Sequence, residues 1–256
     1  MQPEIHLGPL TIQTFGICFA VGFLVAAGII GRRFRELGDP PEWTWELTFS
    51  VMVGGLVGSR LDFMIENWSD VKDDLFGKLF SGTGLIWYGG VIGGALGAVL
   101  WARRRDWLGW QLPDLACIPL AMGYAIGRVG CQLSGDGDYG KHSDLPWAMS
   151  YPHGTVPTTD TVHPTPIYET LAMGLVAMLL WQLRDRLTGG RLFALYLVLA
   201  GIERFLVEFI RRNADSFAGL TAAQLWSVAM IVAGLAWIAV VARRDGMAAL
   251  RQPAIA

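Results

Sequence analysis

Three arginines, Arg60, Arg128 and Arg204, stand in apolar stretches where a lipid bilayer would exclude charge. An ionised side chain near the bilayer centre costs roughly 2.5–3.5 kcal/mol on insertion scales, so each needs a counter-ion, water or an anionic ligand. Planar guanidinium donors suit phosphate geometry, and the phosphate at that depth is a phospholipid headgroup. The run ERFLVEFIRR (203–212) places Arg204 and Glu208 at i and i+4 on one helical face, with Arg211 a further turn along. Asp62, two residues from Arg60, points elsewhere on a helix and is not a direct partner. Glu46, Glu169 and Glu203 also lie at or within apolar stretches, so a purely structural ion-pair network competes with an anion site. Arg128 sits in GYAIGRVGCQLSGDGDYG (123–140), which reads as a helix-ending context whose glycines let the backbone turn close to a ligand.

Other reactive residues carry less. Cys18, Cys117 and Cys131 are too few and too scattered for a disulfide framework or a zinc cluster. His6, His142, His153 and His163 show no HExxH or similar ligand spacing, so a metal site is not expected. In WYGGVIGGALGA (87–98), Gly89, Gly93 and Gly97 recur at i, i+4 and i+8 with Gly90 and Gly94 beside them. Small residues at that spacing let helices approach closely, and a packing face is the expectation for Gly93, Gly94 and Gly97. GGLVGSR (54–60) is a weaker version.

The elements that position these residues follow from composition. Of 256 residues 53% are hydrophobic and 16% charged, against about a quarter charged in soluble domains. The net charge of −2 leaves no basic footprint for nucleic acid. The apolar residues fall into seven blocks, about 9–30, 43–65, 84–102, 111–131, 164–183, 192–210 and 222–242, each near the roughly 20 residues a spanning helix needs. No Lys or Arg precedes Arg32, so the first block reads as a retained helix and not a signal peptide.

Twelve basic residues follow blocks one, three, five and seven; five lie in the other gaps. The positive-inside rule then puts the N-terminus outside and the C-terminus in the cytoplasm. The expected fold is all-α: one polytopic membrane domain over residues 1–256, with seven transmembrane helices and a small extracytoplasmic head. The outer gaps are about 66–83, holding an amphipathic run DVKDDLFGKLF, and 132–163, rich in Gly, Asp, Pro and His and read as an ordered loop or cap.

Six segments in order resemble the prolipoprotein diacylglyceryl transferase family of bacteria. They are LGPLTIQTFGICFAVGF, GGLVGSRLDF, WYGGVIGG, GRVGCQLSGDGDYG, HPTPIYE and RFLVEFIRR. The resemblance implies transfer of the diacylglyceryl group of phosphatidylglycerol to the lipobox cysteine thiol of a prolipoprotein, forming a thioether, the first step of lipoprotein biosynthesis. It implies an enzyme of the bacterial cytoplasmic (inner) membrane, with phosphatidylglycerol and lipobox-containing prolipoprotein peptides as partners and no cofactor. Arg128, Gly130, Arg204, Glu208, His163, Tyr168 and Glu169 match the family.

By that resemblance Arg128 and Arg204 hold the lipid phosphate, Glu208 orients Arg204, and Gly89, Gly90, Gly130, Asp136, Tyr168 and Glu169 complete the phosphatidylglycerol site. The chain also departs from the family. Tyr88 replaces a histidine proposed as the base for the thiol; Cys131, Ser134 and Asp136 stand where asparagines and a glutamate are common, with one extra residue before Gly140; Phe15 replaces a tyrosine. His163 and Tyr88 are the candidate bases, although cysteine is already a good nucleophile and a dedicated base is dispensable on chemical grounds.

Other classes are weighed on the same residues. A retinal-type protein needs a lysine in the last span, and Lys72, Lys78 and Lys141 all lie outside the spans. A lipid or anion transporter could use buried arginines, but no repeated halves are visible. A lipid-binding paralogue without transferase activity is the further alternative, motivated by Tyr88 and Cys131.

Overall fold

The computed structural model describes residues 1–8, 10–68, 86–214, 216–217 and 219–245. The amphipathic run 70–80, with Lys72 and Lys78, and Arg251 at the C-terminus lie outside them. Seven helices form among the described residues: α1 Thr14–Leu37, α2 Trp43–Glu66, α3 Trp87–Arg104, α4 Gln111–Ser134, α5 Thr165–Leu183, α6 Arg191–Glu208 and α7 Ala222–Asp245. Four of them, α1, α2, α5 and α7, are long and apolar enough to cross a membrane. The other three are diluted by the residues that set them apart. Five glycines occupy α3, Asp114 and Arg128 stand in α4, and α6 holds Arg191, Glu203, Arg204 and Glu208 within 18 residues.

Two short antiparallel hairpins accompany the helices: β1 Glu4–Leu7 with β2 Leu10–Gln13, and β3 Met149–Tyr151 with β4 Thr158–Val162. The first corrects the expected start of the first helix. EIHLGPLTIQ alternates around a Gly-Pro pair, and Gly8 takes the left-handed conformation (φ 63°), so residues 10–13 pair as a strand and α1 begins at Thr14. The segment 132–163 is ordered, as expected, but its first residues belong to α4, which runs through Ser134. The turn after it is made by Gly135 (φ 59°) and Gly137 (φ 94°), conformations that favour glycine.

By contacts the chain divides into two units, residues 30–112 and residues 1–29 with 113–256. In the first, α2 and α3 meet through glycines. A Cβ on Gly93 would lie 2.1 Å from the Gly54 carbonyl oxygen, on Gly97 2.2 Å from that of Ser50, and on Gly89 2.3 Å from that of Gly58. The tight row is therefore Gly89, Gly93 and Gly97. Gly94 lies buried on the same face, where a Cβ would make ordinary contacts with Val51 and Gly55 of α2, the nearest at 3.5 Å, so Gly93, Gly94 and Gly97 form the expected packing face with the tightest approach at Gly93 and Gly97. Below this seam Phe34, fully buried, packs with Trp43, Trp101 and Trp107. Glu46 there accepts from Trp101 Nε1 (3.1 Å) and Arg105 Nε (2.9 Å).

In the second unit α4, α5 and α6 share a core of Cys117, Ile118, Ala121, Ala125, Met173, Ala177, Leu180, Leu192 and Ala200. Gly201 and Gly234 bring α6 and α7 together, with a Cβ at Gly234 falling 2.6 Å from the Ala194 carbonyl oxygen. The N-terminus of α6 is held by a residue distant in sequence. Asp114 accepts from the Gly190 N–H (2.7 Å) and the Phe193 N–H (3.0 Å), meeting donors that a helix start leaves unpaired.

Candidate functional site

The second unit gathers its charges where α4, α5 and α6 meet the segment that follows α4. Glu169, three residues beyond Pro166 in the first turns of α5 and fully buried, is the hub. Its carboxylate faces Arg211 Nη1 at 3.2 and 3.3 Å, Arg128 Nε at 3.3 Å and Arg204 Nη1 at 3.4 Å, and accepts from the Tyr124 hydroxyl at 3.0 Å. Asp138 bridges Arg128 and Arg211 with one oxygen each. Glu208 pairs with Arg204 Nη2 at 2.9 Å, one turn away in α6, and its other oxygen accepts from Thr221 and Asn213, both at 2.7 Å. Three guanidinium groups thus meet three paired carboxylates. The Arg128 guanidinium also lies over the Tyr124 ring, 4.9 Å from its centre.

Two arginines keep an open edge. The side chains of Arg128 and Arg204 are 16% and 23% exposed, whereas Glu169 and Glu208 are closed off entirely. Among the described residues Arg128 Nη2 and Arg204 Nε make no hydrogen bond or ion pair, so N–H donors remain for an anion. Cys131 Sγ and one oxygen each of Asp136 and Asp138 lie within 4.8 Å of one another. Arg128 and Arg211 already neutralise Asp138 there, and a cation would meet both guanidinium charges. Burial works to raise the Asp138 carboxyl, but Arg128 and Arg211 outweigh it and hold it below the usual carboxylate range.

The sequence-predicted residues are distributed as follows. Arg128, Arg204, Glu208 and Glu169 come together. Asp136 is not the carboxylate on the arginines: it accepts from the Asp138 N–H at 3.3 Å, and Asp138 holds the ion pairs. Gly130 is not in a turn; it lies inside α4 against Cys18 and Phe15 of α1, each 3.1 Å from a built Cβ, so a helix contact explains it. His163 and Tyr168 stand at the cap, with His163 Nδ1 3.5 Å from the Tyr168 hydroxyl, which accepts from Trp147 Nε1 at 2.7 Å. Tyr88, Gly89 and Gly90 belong to the other unit with Arg60. There Tyr88 is exposed and the Gly89 N–H donates to Asp62 at 2.8 Å.

Sequence reasoning missed Asp138 and gave Arg211 no role. Arg211 was legible as a seventh-residue neighbour of Arg204 on the same face; Asp138 had no signal beyond its distance from Arg128.

The cap on this cluster is a small packed layer. Tyr139 and Tyr151 stack with ring centres 4.7 Å apart, Gly140 N–H donates to the His163 carbonyl (2.8 Å), His163 N–H donates to the Lys141 carbonyl (3.0 Å), and His142 bridges to Val162 at the end of β4. Burial pushes the Tyr151 phenol up to about 12, against its bond to Gln132. A cavity of about 330 Å³ opens beside Gly137, Asp138, Tyr139, Arg211, Arg212 and Asn213.

Four apolar helices of spanning length mark an integral membrane protein, and a cluster of buried guanidinium and carboxylate groups where α4, α5 and α6 meet gives it a buried polar site. The family model described as prolipoprotein diacylglyceryl transferase matches residues 3–240, and the chain belongs to this family. Among curated proteins it is similar to the phosphatidylglycerol–prolipoprotein diacylglyceryl transferases of Clostridium tetani (29% identical, covering 92% of this chain and 96% of that protein), Frankia alni (35%, 94% and 66%) and Chromohalobacter salexigens (33%, 91% and 89%).

Proposed function

We propose that this chain transfers the diacylglyceryl group of phosphatidylglycerol to the lipobox cysteine of prolipoproteins. In this reading it does so as one seven-span domain of the bacterial cytoplasmic membrane, N-terminus outside, C-terminus cytoplasmic, with the cap over residues 132–163 on the outer side. The observation that carries the chemistry is the pair of partly open guanidinium groups, Arg128 and Arg204, held from opposite sides by Glu169.

The phosphate of phosphatidylglycerol sits on Arg128 Nη2 and Arg204 Nε. The substrate thiol gives up its proton as its sulfur attacks the glycerol carbon bonded to the phosphate ester oxygen; the C–S bond forms as that C–O bond breaks, and glycerol phosphate leaves with the electron pair. Its second negative charge develops beside two fixed guanidinium groups in a site with little water, where preorganised donors act most strongly. Glu208 and Glu169 keep Arg204 in place, and Asp138 does the same for Arg128. Gly89 and Gly130 serve helix packing in this reading, while Tyr168 and His163 border the cap side.

The test uses purified protein, phosphatidylglycerol and a lipobox peptide, with the thioether product read by mass spectrometry. Arg128→Ala and Arg204→Ala each lose about 100-fold or more, the scale of removing a preorganised charge-stabilising donor. Full activity in either variant refutes the phosphate clamp.

A further inference from the structure

One carboxyl group beside the arginines has no structural employment. Glu203 precedes Arg204 in α6 and is half-buried. Its electrostatic neighbours are Glu169 of α5, Arg128 of α4, Arg204 of α6 and Arg211 three residues past the end of α6; Tyr124 of α4 and Tyr196 of α6 lie within range of its charge. Asp138, Glu169 and Glu208 already balance the three arginines. Among the described residues Glu203 makes neither a hydrogen bond nor an ion pair. Glu203 is half-buried but its carboxyl oxygens are not sealed from the surface, so the group stands next to a neutralised charge cluster, engaged by no other side chain and open to a proton donor.

We propose that Glu203 is the proton acceptor for the substrate thiol. The assignment rests on the transferase reading above. The thiol proton passes to the Glu203 carboxylate as sulfur attacks the glycerol carbon and the C–O bond to phosphate breaks. Before the step the negative charges are those of Glu203 and the phosphodiester; after it, Glu203 is neutral and glycerol phosphate carries both. The site's total charge is unchanged through the step. The proton then leaves Glu203 with the departing phosphate monoester or to water, and the carboxylate is restored. Its place beside Arg204 keeps the acceptor close to the clamped phosphate without spending any of the arginines' paired carboxylates.

The experiment measures kcat/KM of the full chain, in micelles with phosphatidylglycerol and a lipobox peptide, from pH 6 to 9.5. Glu203→Gln is expected to be about 100-fold slower near pH 6.5, the lower end of what a general base contributes. The deficit shrinks towards the unsubstituted rate above about pH 8.5, where the thiol ionises without help. Phosphatidylglycerol binding stays unchanged. A glutamine variant as fast as the unsubstituted protein at low pH, or slower by the same factor at every pH, overturns the assignment.

Should Glu203→Gln fail to accumulate in membranes, Glu203→Asp serves instead. Its smaller deficit must also close as pH rises, and a pH-independent deficit overturns the assignment. An unsubstituted protein that forms no thioether overturns the transferase reading and this assignment with it, whereas an active protein with an indifferent Glu203 overturns this assignment alone.

Discussion

Replacing Glu169 with glutamine keeps the side chain's size and removes its charge. The carboxylate it replaces is fully buried and faces three guanidinium groups at 3.2–3.4 Å and one tyrosine hydroxyl at 3.0 Å. After the change Arg128, Arg204 and Arg211 face only Asp138 and Glu208. One positive charge is left without compensation, and the new amide group points donors at donors. At an effective dielectric near 20 a single pair at about 4 Å is worth about 4 kcal/mol in Coulomb energy. Breaking a buried pair by removing one partner costs about 3–5 kcal/mol net, which is the loss of unfolding free energy expected here.

The assay is denaturant unfolding in detergent micelles followed by fluorescence of the chain's 11 tryptophans, with Glu46→Gln as control. Glu46 pairs with Arg105 at a partly exposed position, where side chains are 33% and 44% exposed, and such pairs are worth about 1 kcal/mol or less. Adding Arg211→Leu to Glu169→Gln returns the cluster to two cations and two carboxylates and recovers part of the loss. A Glu169→Gln protein within about 0.5 kcal/mol of the unsubstituted one, or no less stable than Glu46→Gln, refutes the reasoning.

Three further outcomes follow from other contacts. Gly93→Ala forces a Cβ to within 2.1 Å of a carbonyl oxygen across the α2–α3 seam, whereas Gly90→Ala meets nothing nearer than 3.6 Å; thermal unfolding shows a loss of about 1–3 kcal/mol for the first and little change for the second. Asp138 has its pKa depressed in the folded protein, so its contribution to stability is present above the unfolded value of about 3.9 and is lost as pH falls through the folded value. Acid titration of stability in Asp138→Asn therefore lacks that component, while Asp136→Asn retains it. Asp114→Ala removes the acceptor for the Gly190 and Phe193 N–H groups and costs about 1–2 kcal/mol in the same unfolding assay, on the scale of a lost helix cap; Asp114→Asn costs less.

The helices were legible because each apolar block is local. Blocks two, four, five, six and seven begin and end within a few residues of α2, α4, α5, α6 and α7. The start of α1 was misplaced because residues 10–13 are as apolar as the helix they precede, and only pairing with residues 4–7 makes them a strand. Block composition also overstates how alike the helices are: α3, α4 and α6 read as spans by position in the pattern, yet their glycines and charges set them below the apolarity of the other four. In the site, Arg204 and Glu208 were legible from their four-residue spacing, a property of any helix. Gly89 and Gly130 drew attention as glycines near functional motifs, but what occupies the space beside each is a neighbouring helix.

What the sequence by itself determined is therefore what depends on composition and helical period: membrane character, the order of helices, the family, and three arginines that demand compensation. What only the tertiary structure decided is who compensates two of them, Arg128 and Arg204, and that Arg211 joins them. Glu169 lies in a different segment from each arginine it meets, Arg128 in α4, Arg204 in α6 and Arg211 beyond α6, and no spacing along the chain encodes that convergence. Asp138 takes the ion pairs instead of Asp136 because the turn at Gly135 and Gly137 sets which carboxylate returns to Arg128 and Arg211. The unemployed carboxyl of Glu203 emerges only by subtraction, once every other partner in the cluster is known. The cost of burying a charge is a local fact, readable from one residue; the neutralising partner is a matter of where four separate segments bring their ends, and that is settled by packing.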